Sequence, residues 1–157
     1  MKERDSSHFI NRPWLIWDGT CGFCKYWTVR WKKISGDLVY YAPYQEVGHK
    51  FANITEDQFR KEVHLVEPDG SIYRGAAAAL RTIHYGPKHW QWLYRWYAAI
   101  PWLKDLFDTS YVWVAKHRSQ LYRVTIILLG SDPNRLKMYW LGYLIGLVTL
   151  VYFISTA

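Results

Sequence analysis

Residues 14–24 read Trp-Leu-Ile-Trp-Asp-Gly-Thr-Cys-Gly-Phe-Cys, and the rest of the chain can be organised around this stretch. Its first four residues are apolar and include two aromatic residues of high β-propensity, which predicts a buried strand. The Asp-Gly-Thr segment then interrupts the apolar run and supplies residues that cap helices. Cys21 and Cys24, the two cysteines of the chain, follow directly. We therefore predict a strand followed by a helix that begins at a Cys-x-x-Cys pair.

The composition limits the classes of protein to which the chain can belong. With 157 residues, 50% of them hydrophobic and 18% aromatic, the chain can form one domain with its own core and is not a disordered polypeptide. Its formal net charge of +7 would suit nucleic acid, anionic lipid or the cytoplasmic face of a membrane protein. The sequence contains no basic run and no nucleic-acid reader motif, so we expect no nucleic-acid partner.

The cysteines and the N-terminal residues indicate a reducing compartment. The first eight residues, Met-Lys-Glu-Arg-Asp-Ser-Ser-His, are charged and lead into a short apolar stretch, unlike a secretory signal peptide. Secreted domains that are stabilised by disulfides usually contain more cysteines, distributed along the chain, than the single pair present here.

The patterns after the cysteines predict an α/β unit. Apolar residues at helical spacing end at Gly36, which is a suitable helix C-cap. Residues 38–41 have the pattern of a second strand, and Thr55 begins a capping box for a short helix. The remaining predicted elements are strands at 63–67 and 71–74, joined by a tight turn, and an alanine-rich helix at 76–84. This β-α-β-α-β-β-α order is that of the thioredoxin fold.

Two further regions follow this thioredoxin-like core. Residues 88–118 have a helical pattern that is rich in aromatic side chains and is divided at Pro101. We expect this segment either to pack on the core or to form a belt of Trp and Tyr side chains at a lipid surface. We predict four regions, namely an N-terminal tail at 1–12, a thioredoxin-like core at 13–86, an aromatic-rich helical extension at 87–130, and a linker with a C-terminal membrane anchor at 131–157.

The predicted anchor rests on the absence of charge after residue 137. Residues 138–154 are apolar and reach the lower limit of about 17 residues for a transmembrane helix. By the positive-inside rule, the preceding basic residues predict a single-pass membrane protein with a cytoplasmic domain and the lipid bilayer as a partner. Gly142 and Gly146 have the small-xxx-small spacing of a candidate homodimer contact. The alternative is a buried C-terminal helix. The basic residues are Lys116, Arg118, Arg123, Arg135 and Lys137.

Three interpretations of the Cys pair are open. In the redox interpretation, the Cys21 thiolate attacks a partner disulfide and Cys24 resolves the mixed disulfide, while Asp18 either caps the helix or acts as a base for Cys24. In the second, the pair is half of a zinc site. In the third, both thiols are small buried apolar groups. The histidines considered as further zinc ligands are His49, His64, His84 and His89.

The motif also resembles a known family. The stretch Asp18-Gly19-Thr20-Cys21-Gly22-Phe23-Cys24 is similar to the Asp-x-x-Cys-x-x-Cys signature of the DCC family of predicted thiol-disulfide oxidoreductases. Later blocks agree in order, and the resemblance covers roughly residues 14–122. These blocks are Pro43-Tyr44-Gln45, then Asp69-Gly70 with Tyr73-Arg74-Gly75-Ala76-x-Ala78, then Tyr111, Ala115, Arg118 and Tyr122.

The resemblance implies a thioredoxin-like fold and gives Asp18, Cys21 and Cys24 as candidate catalytic residues. One departure from thioredoxins is that no proline precedes Val63, where a thioredoxin carries its cis-proline. We predict a membrane-anchored thiol-disulfide oxidoreductase that acts on a protein or small-molecule disulfide or thiol, with no cofactor and no metal. The alternative is a non-catalytic, membrane-bound interaction module whose Cys pair is structural or binds zinc.

Overall fold

A computed structural model describes residues 11–135 and 139–156. Most of the predicted N-terminal tail therefore lies outside the described residues. So do Lys137, which belongs to the predicted basic cluster, and Met138, which was the predicted start of the membrane anchor.

A four-stranded mixed sheet lies at the centre of the fold, with the strand order β2-β1-β3-β4. Strand β1 is parallel to β2 and antiparallel to β3, and β3 is antiparallel to β4. Leu15 and Ile16 of β1 are both fully buried, in core clusters formed with different sets of residues. Burial of both residues explains why β1 is a continuous apolar run. The strands are β1 (Trp14–Trp17), β2 (Tyr40–Pro43), β3 (His64–Val66) and β4 (Ile72–Arg74).

Eight α-helices are present in the described part of the chain, so the mixed α/β class is confirmed. Helix α1 begins after the first cysteine and ends before Gly36, whose φ of 58° is readily adopted by glycine. The predicted capping box at Thr55 is present and begins α3. The helices are α1 (Gly22–Ser35), α2 (Tyr44–Val47), α3 (Glu56–Lys61), α4 (Gly75–His84), α5 (Lys88–Ala99), α6 (Pro101–Lys116), α7 (Arg118–Leu129) and α8 (Tyr139–Thr156).

Local differences from the predicted elements lie on either side of β2. The second strand begins at Tyr40 rather than at residue 38, because Gly36–Leu38 forms a 3-10 turn after α1. Residues 43–53 have no strong hydrophobic period, which predicts a loop, but the structure forms α2 and a second 3-10 turn, Gly48–Lys50, in this segment. The two 3-10 turns are short. Segments of this length do not show the hydrophobic periodicity from which longer helices are predicted.

The aromatic-rich segment packs on the core along one face. Pro101 is the first residue of α6, as predicted, so the segment forms two helices. Tyr97 of α5 is buried in a cluster with Ala76 and Leu80 of α4, and Phe107 of α6 packs against that cluster. The tryptophan side chains of the two helices are exposed, namely Trp90, Trp92, Trp96, Trp102 and Trp113.

The predicted membrane anchor is wrong. Among residues 11–135 and 139–156, no helix combines the length and the apolar character needed to cross a bilayer. This finding corrects two predictions, namely the transmembrane helix in the fold class and the single-pass membrane localisation. The described side chains of α8 are exposed, so the alternative of a buried C-terminal helix is not observed.

A buried ion pair joins the end of β3 to α4 and gives a test of the fold. Glu67 is 5% exposed, accepts a hydrogen bond from Arg81 Nε at 2.9 Å and also accepts one from the Tyr85 hydroxyl. Arg81→Leu should lower the free energy of unfolding by about 2 kcal/mol, because it leaves a buried carboxylate without its cation. Urea denaturation measures this change.

Two comparisons test the explanation. Arg95→Leu removes an exposed guanidinium from α5 and should change stability by less than about 0.5 kcal/mol. Adding Glu67→Gln to Arg81→Leu should restore part of the loss, because the buried charge is then absent. Equal losses for the Arg81 and Arg95 variants would contradict the assigned role of the pair.

Candidate active site

The turn between β1 and α1 is organised by the side chain of Asp18. Its Oδ1 atom accepts hydrogen bonds from Thr20 N at 3.0 Å, from Thr20 Oγ1 at 2.7 Å and from Gln45 Nε2 at 2.9 Å. The backbone carbonyl of Asp18 accepts from Cys21 N at 3.1 Å. These bonds hold Cys21 at the end of the turn, where α1 begins.

Gln45 binds both sides of this turn. Its Nε2 donates to Asp18, and its Oε1 accepts from Gly19 N at 3.0 Å. A Cβ atom at Gly19 would lie 2.7 Å from Pro43 Cβ, so a glycine allows the end of β2 to come this close. Gln45 belongs to one of the family blocks, but its role could not be predicted from the sequence, because local patterns do not reveal a partner 27 positions away.

Burial and hydrogen bonding have opposite effects on the Asp18 carboxyl. Asp18 is 6% exposed, and its burial disfavours the charged form. The hydrogen bonds from Thr20 and Gln45 outweigh burial, so the pKa of Asp18 lies below its ordinary value. Asp18 is therefore a buried carboxylate near the Cys pair.

Cys21 itself is the N-cap of α1, a role expected of the preceding Asp-Gly-Thr segment. Its Sγ accepts a hydrogen bond from Cys24 N at 3.2 Å. Hydrogen bonding from the Cys24 thiol is the largest of the effects that lower the pKa of Cys21 to about 6, against the opposing effect of burial. The Cys24 backbone N–H and the positive charge of Arg118 lower this pKa further, while Asp18 raises it. The lowered pKa favours the thiolate form of Cys21.

Cys24 lies one turn further along α1 and has the opposite character. Because its thiol donates to Cys21, and because it is partly buried, the pKa of Cys24 is raised well above its ordinary value. Both cysteines are free thiols in the structure. The pair therefore combines a thiol of lowered pKa with a thiol of raised pKa.

Two cavities flank the pair. The first, about 450 Å³, is here called the Cys21 groove, and the second, about 470 Å³, the Cys24 cavity. The groove is open to solvent beside α7, while the cavity lies among α1, α4, α6 and α7 and has mainly apolar walls. Residues of the groove include Asp18, Cys21, Phe23, Arg118, Tyr122 and Arg123. Residues of the cavity include Cys24, Trp27, Leu80, Phe107, Val114 and Leu121.

Helix α7 contributes side chains to the site that were not predicted from the sequence. Arg118 is its first residue, lines both the groove and the cavity, and donates from Nη1 to the carbonyl oxygen of Arg60 at 2.9 Å. Tyr122 packs over Gly22, where a Cβ atom would lie 2.9 Å from Tyr122 Cε1. The family blocks that contain these two residues were the one signal in the sequence that pointed to them.

The backbone of Val63, which lines the Cys24 cavity, is fully hydrogen-bonded. Its N–H donates to Tyr111 Oη at 3.1 Å, and its carbonyl accepts from Gly75 N at 3.0 Å. Glu62 stands where a thioredoxin carries its cis-proline. An extended substrate chain therefore finds no free backbone group at Val63.

The histidines considered as zinc ligands do not form a metal site with the Cys pair. In the part of the chain that the structure describes, no group of three or more His, Cys, Asp and Glu side chains is arranged to hold a metal ion. His64 is fully buried in β3, where burial lowers its pKa to about 4 and its Nδ1 lies 3.1 Å from the carbonyl oxygen of Glu62. His84 Nδ1 lies 3.2 Å from the carbonyl oxygen of Gln91, and His49 and His89 are exposed.

Comparison with known families agrees with this arrangement. The sequence model of the DCC1-like thiol-disulfide oxidoreductase family matches residues 15–124. The chain belongs to this family. The match extends from β1 into α7 and includes both cysteines, Asp18, Gln45 and Arg118, so the resemblance predicted from the motif is confirmed. Searches of curated proteins and of solved structures give no match.

The difference between the pKa values of Cys21 and Cys24 predicts that their alkylation rates depend differently on pH. Because the thiolate is the reactive form, the rate for Cys21 should rise through about pH 6 and level off above about pH 7. Cys24 should stay slow across this range, since its pKa is raised. Timed iodoacetamide labelling of the reduced protein, with fragment-ion mass spectrometry to separate the two positions, measures both rates.

A matched pair of variants isolates the charge of Arg118. Arg118→Gln should move the Cys21 midpoint to higher pH, because a positive charge that favours the thiolate is removed. Arg95→Gln, which removes an exposed guanidinium from α5, should leave the midpoint in place. A Cys21 midpoint near the ordinary thiol value of about 8.5, or equal labelling of both cysteines, would contradict the assignment.

Proposed function

We propose that the protein is a thiol-disulfide oxidoreductase that exchanges its Cys21–Cys24 dithiol with the disulfide of a protein or small molecule. The observation that carries the proposal is the hydrogen-bonded pair at the start of α1, in which the pKa of Cys21 is lowered to about 6 while that of Cys24 is raised. Membership of the DCC1-like family supports the same class of activity. A purely structural pair of thiols has no need of such a difference in acidity.

The exchange takes two steps. The Cys21 thiolate attacks one sulfur of a disulfide R–S–S–R, so that a mixed disulfide forms and one RS⁻ leaves. Cys24 then loses its proton and attacks Cys21 Sγ, which closes the Cys21–Cys24 disulfide and releases the second RS⁻. Two electrons pass from the dithiol to the substrate, and the proton of Cys24 goes to a leaving thiolate. The same steps in reverse transfer a disulfide to a partner dithiol.

The first step itself prepares Cys24 for the second. Cys24 is held protonated mainly by its hydrogen bond to Cys21, then by burial and by the negative charge on Cys21. Once Cys21 Sγ is part of a mixed disulfide, it carries no charge and accepts a hydrogen bond only weakly. The pKa of Cys24 then falls, with the charge of Arg118 acting in the same direction.

Asp18 acts in this scheme as a positioning residue. Its three hydrogen bonds through Oδ1 fix the turn that presents Cys21. Because the pKa of Asp18 is lowered, its carboxylate is a weak proton acceptor for a thiol whose pKa is raised. Its negative charge raises the pKa of both thiols, so the carboxylate that fixes the turn also destabilises the thiolate forms.

Trapping of a mixed disulfide tests the assigned roles of the cysteines. Cys24→Ser should accumulate a mixed disulfide at Cys21 when mixed with bis(2-hydroxyethyl) disulfide, because no thiol remains to resolve it. Cys21→Ser should accumulate less in the same time, because the burial of Cys24, which raises its pKa and restricts access to its sulfur, is unchanged in this variant. Intact-protein mass spectrometry detects the adduct. The absence of an adduct in both variants would favour the alternative of a non-catalytic module with a structural Cys pair.

Substitution of Asp18 separates positioning from proton transfer. Asp18→Asn keeps an oxygen that can accept from Thr20 and Gln45 and removes a charge that raises the thiol pKa values, so disulfide closure should be as fast as in the wild type or faster. Asp18→Ala loses all three bonds and should lower the free energy of unfolding by about 2 kcal/mol. Stopped-flow kinetics and urea denaturation give the two quantities. Slower closure in a stable Asp18→Asn variant would indicate a proton relay instead.

A further inference from the structure

Two arginine side chains line the Cys21 groove. Arg118 and Arg123 both belong to α7 and line the groove together with Cys21. Within the described residues, neither guanidinium forms an ion pair with a carboxylate. The protein hydrogen bond of Arg118 goes to a backbone carbonyl through one nitrogen, so its other N–H groups remain as donors.

Asp18 is the one carboxylate among the groove residues, and its charge interacts with that of Arg118. Asp18 is 6% exposed, and its Oδ1 already accepts three hydrogen bonds from Thr20 and Gln45. The whole chain has an excess of positive charge, with a formal net charge of +7. Because Asp18 is buried and bound by Thr20 and Gln45, the charged groups that an entering anion can contact beside Cys21 are the guanidiniums of Arg118 and Arg123.

The shape of the site favours a small ligand over an extended peptide. The groove has a volume of about 450 Å³, which lies within the usual range of roughly 300–1,000 Å³ for small-molecule sites. A peptide that pairs with the protein backbone would need free N–H and C=O groups beside the cysteines. In the adjoining Cys24 cavity, those of Val63 are occupied by Tyr111 and Gly75. The groove itself presents the side chains of Arg118, Tyr122 and Arg123 for recognition.

We infer that the Cys21 groove selects small disulfides that carry carboxylates close to the sulfur atoms, with Arg118 and Arg123 binding the carboxylates while Cys21 attacks. This inference rests on the proposed function, because it names the substrate class of the same thiol exchange. A planar guanidinium matches a carboxylate in a bidentate geometry, which suits Arg for this task.

The reaction with such a substrate balances without a further reagent. The disulfide accepts two electrons from the reduced Cys pair and yields two molecules of the thiol acid, while Cys21 and Cys24 become a disulfide. The first thiol leaves as the thiolate when Cys21 attacks, and the second when Cys24 closes the ring. The Cys24 proton passes to one of these thiolates, and the carboxylate of the mixed disulfide stays beside the arginines until closure.

Three disulfides that differ in terminal charge test the inference. Reduced full-length protein is mixed in single-turnover experiments with dithiodipropionate, bis(2-hydroxyethyl) disulfide or cystamine, which end in carboxylate, hydroxyl and ammonium groups. Each second-order rate constant is divided by that of a free neutral thiol with the same disulfide, which removes differences in intrinsic reactivity. We expect the order dithiodipropionate, then the neutral disulfide, then cystamine, with differences that shrink as salt is added.

A matched pair of variants assigns the selectivity to the groove. Arg123→Gln should lower the ratio of the dithiodipropionate constant to the neutral constant on the order of fivefold, as expected for one charge-assisted contact near the surface. Arg95→Gln removes an exposed guanidinium that does not line the groove and should leave this ratio at the wild-type value.

The outcomes separate this inference from the proposed function. Equal normalised constants for the three disulfides, or a ratio that Arg123→Gln does not change, would overturn the selectivity while exchange itself persists. Reduction of a protein disulfide such as that of insulin, without reaction of the small disulfides, would overturn it in the same way. Failure of Cys21 to react with any of these disulfides would overturn the proposed function as well.

Discussion

The hydrogen bonds to Asp18 Oδ1 are the constraint on which the site depends. They join the end of β1 to α2, which directly follows β2, because Gln45 of α2 binds both Asp18 and Gly19. The parallel pairing of β1 with β2 brings these two ends to the same edge of the sheet. With the turn held in this way, Cys21 becomes the N-cap of α1 and its sulfur lies within 3.2 Å of the Cys24 N–H. The acidity of the thiols follows from this geometry.

The segment after the α/β core completes the site rather than only covering the core. Helix α7 brings Arg118 to the Cys pair, where its charge favours the thiolate form of both cysteines. Tyr122, one turn later, packs on Gly22 between the cysteines. Helix α6 supplies Tyr111, whose hydroxyl satisfies the N–H of Val63. The family match, which continues to residue 124, therefore has a structural reason, since the site needs residues from α6 and α7.

The predictions that failed relied on local composition. An uncharged C-terminal segment indicated a membrane-spanning helix, but no helix among the described residues has the combined length and apolar character to cross a bilayer. The Asp-Gly-Thr segment was expected to cap α1, but the cap is the sulfur of Cys21, while Asp18 binds Thr20 and Gln45. Composition and propensity describe what a segment favours in isolation, and they do not include the contacts that tertiary structure adds.

The sequence by itself determined β1, the start and end of α1, the capping box at Thr55 and the family, because each depends on residues close together in the chain or on a motif of fixed spacing. Only the tertiary structure decided that Gln45 and Arg118 lie beside the Cys pair, because their partners are distant in the chain. It also decided which thiol is the more acidic. That outcome depends on burial and on the direction of hydrogen bonds between atoms, and neither is encoded in the spacing of two cysteines.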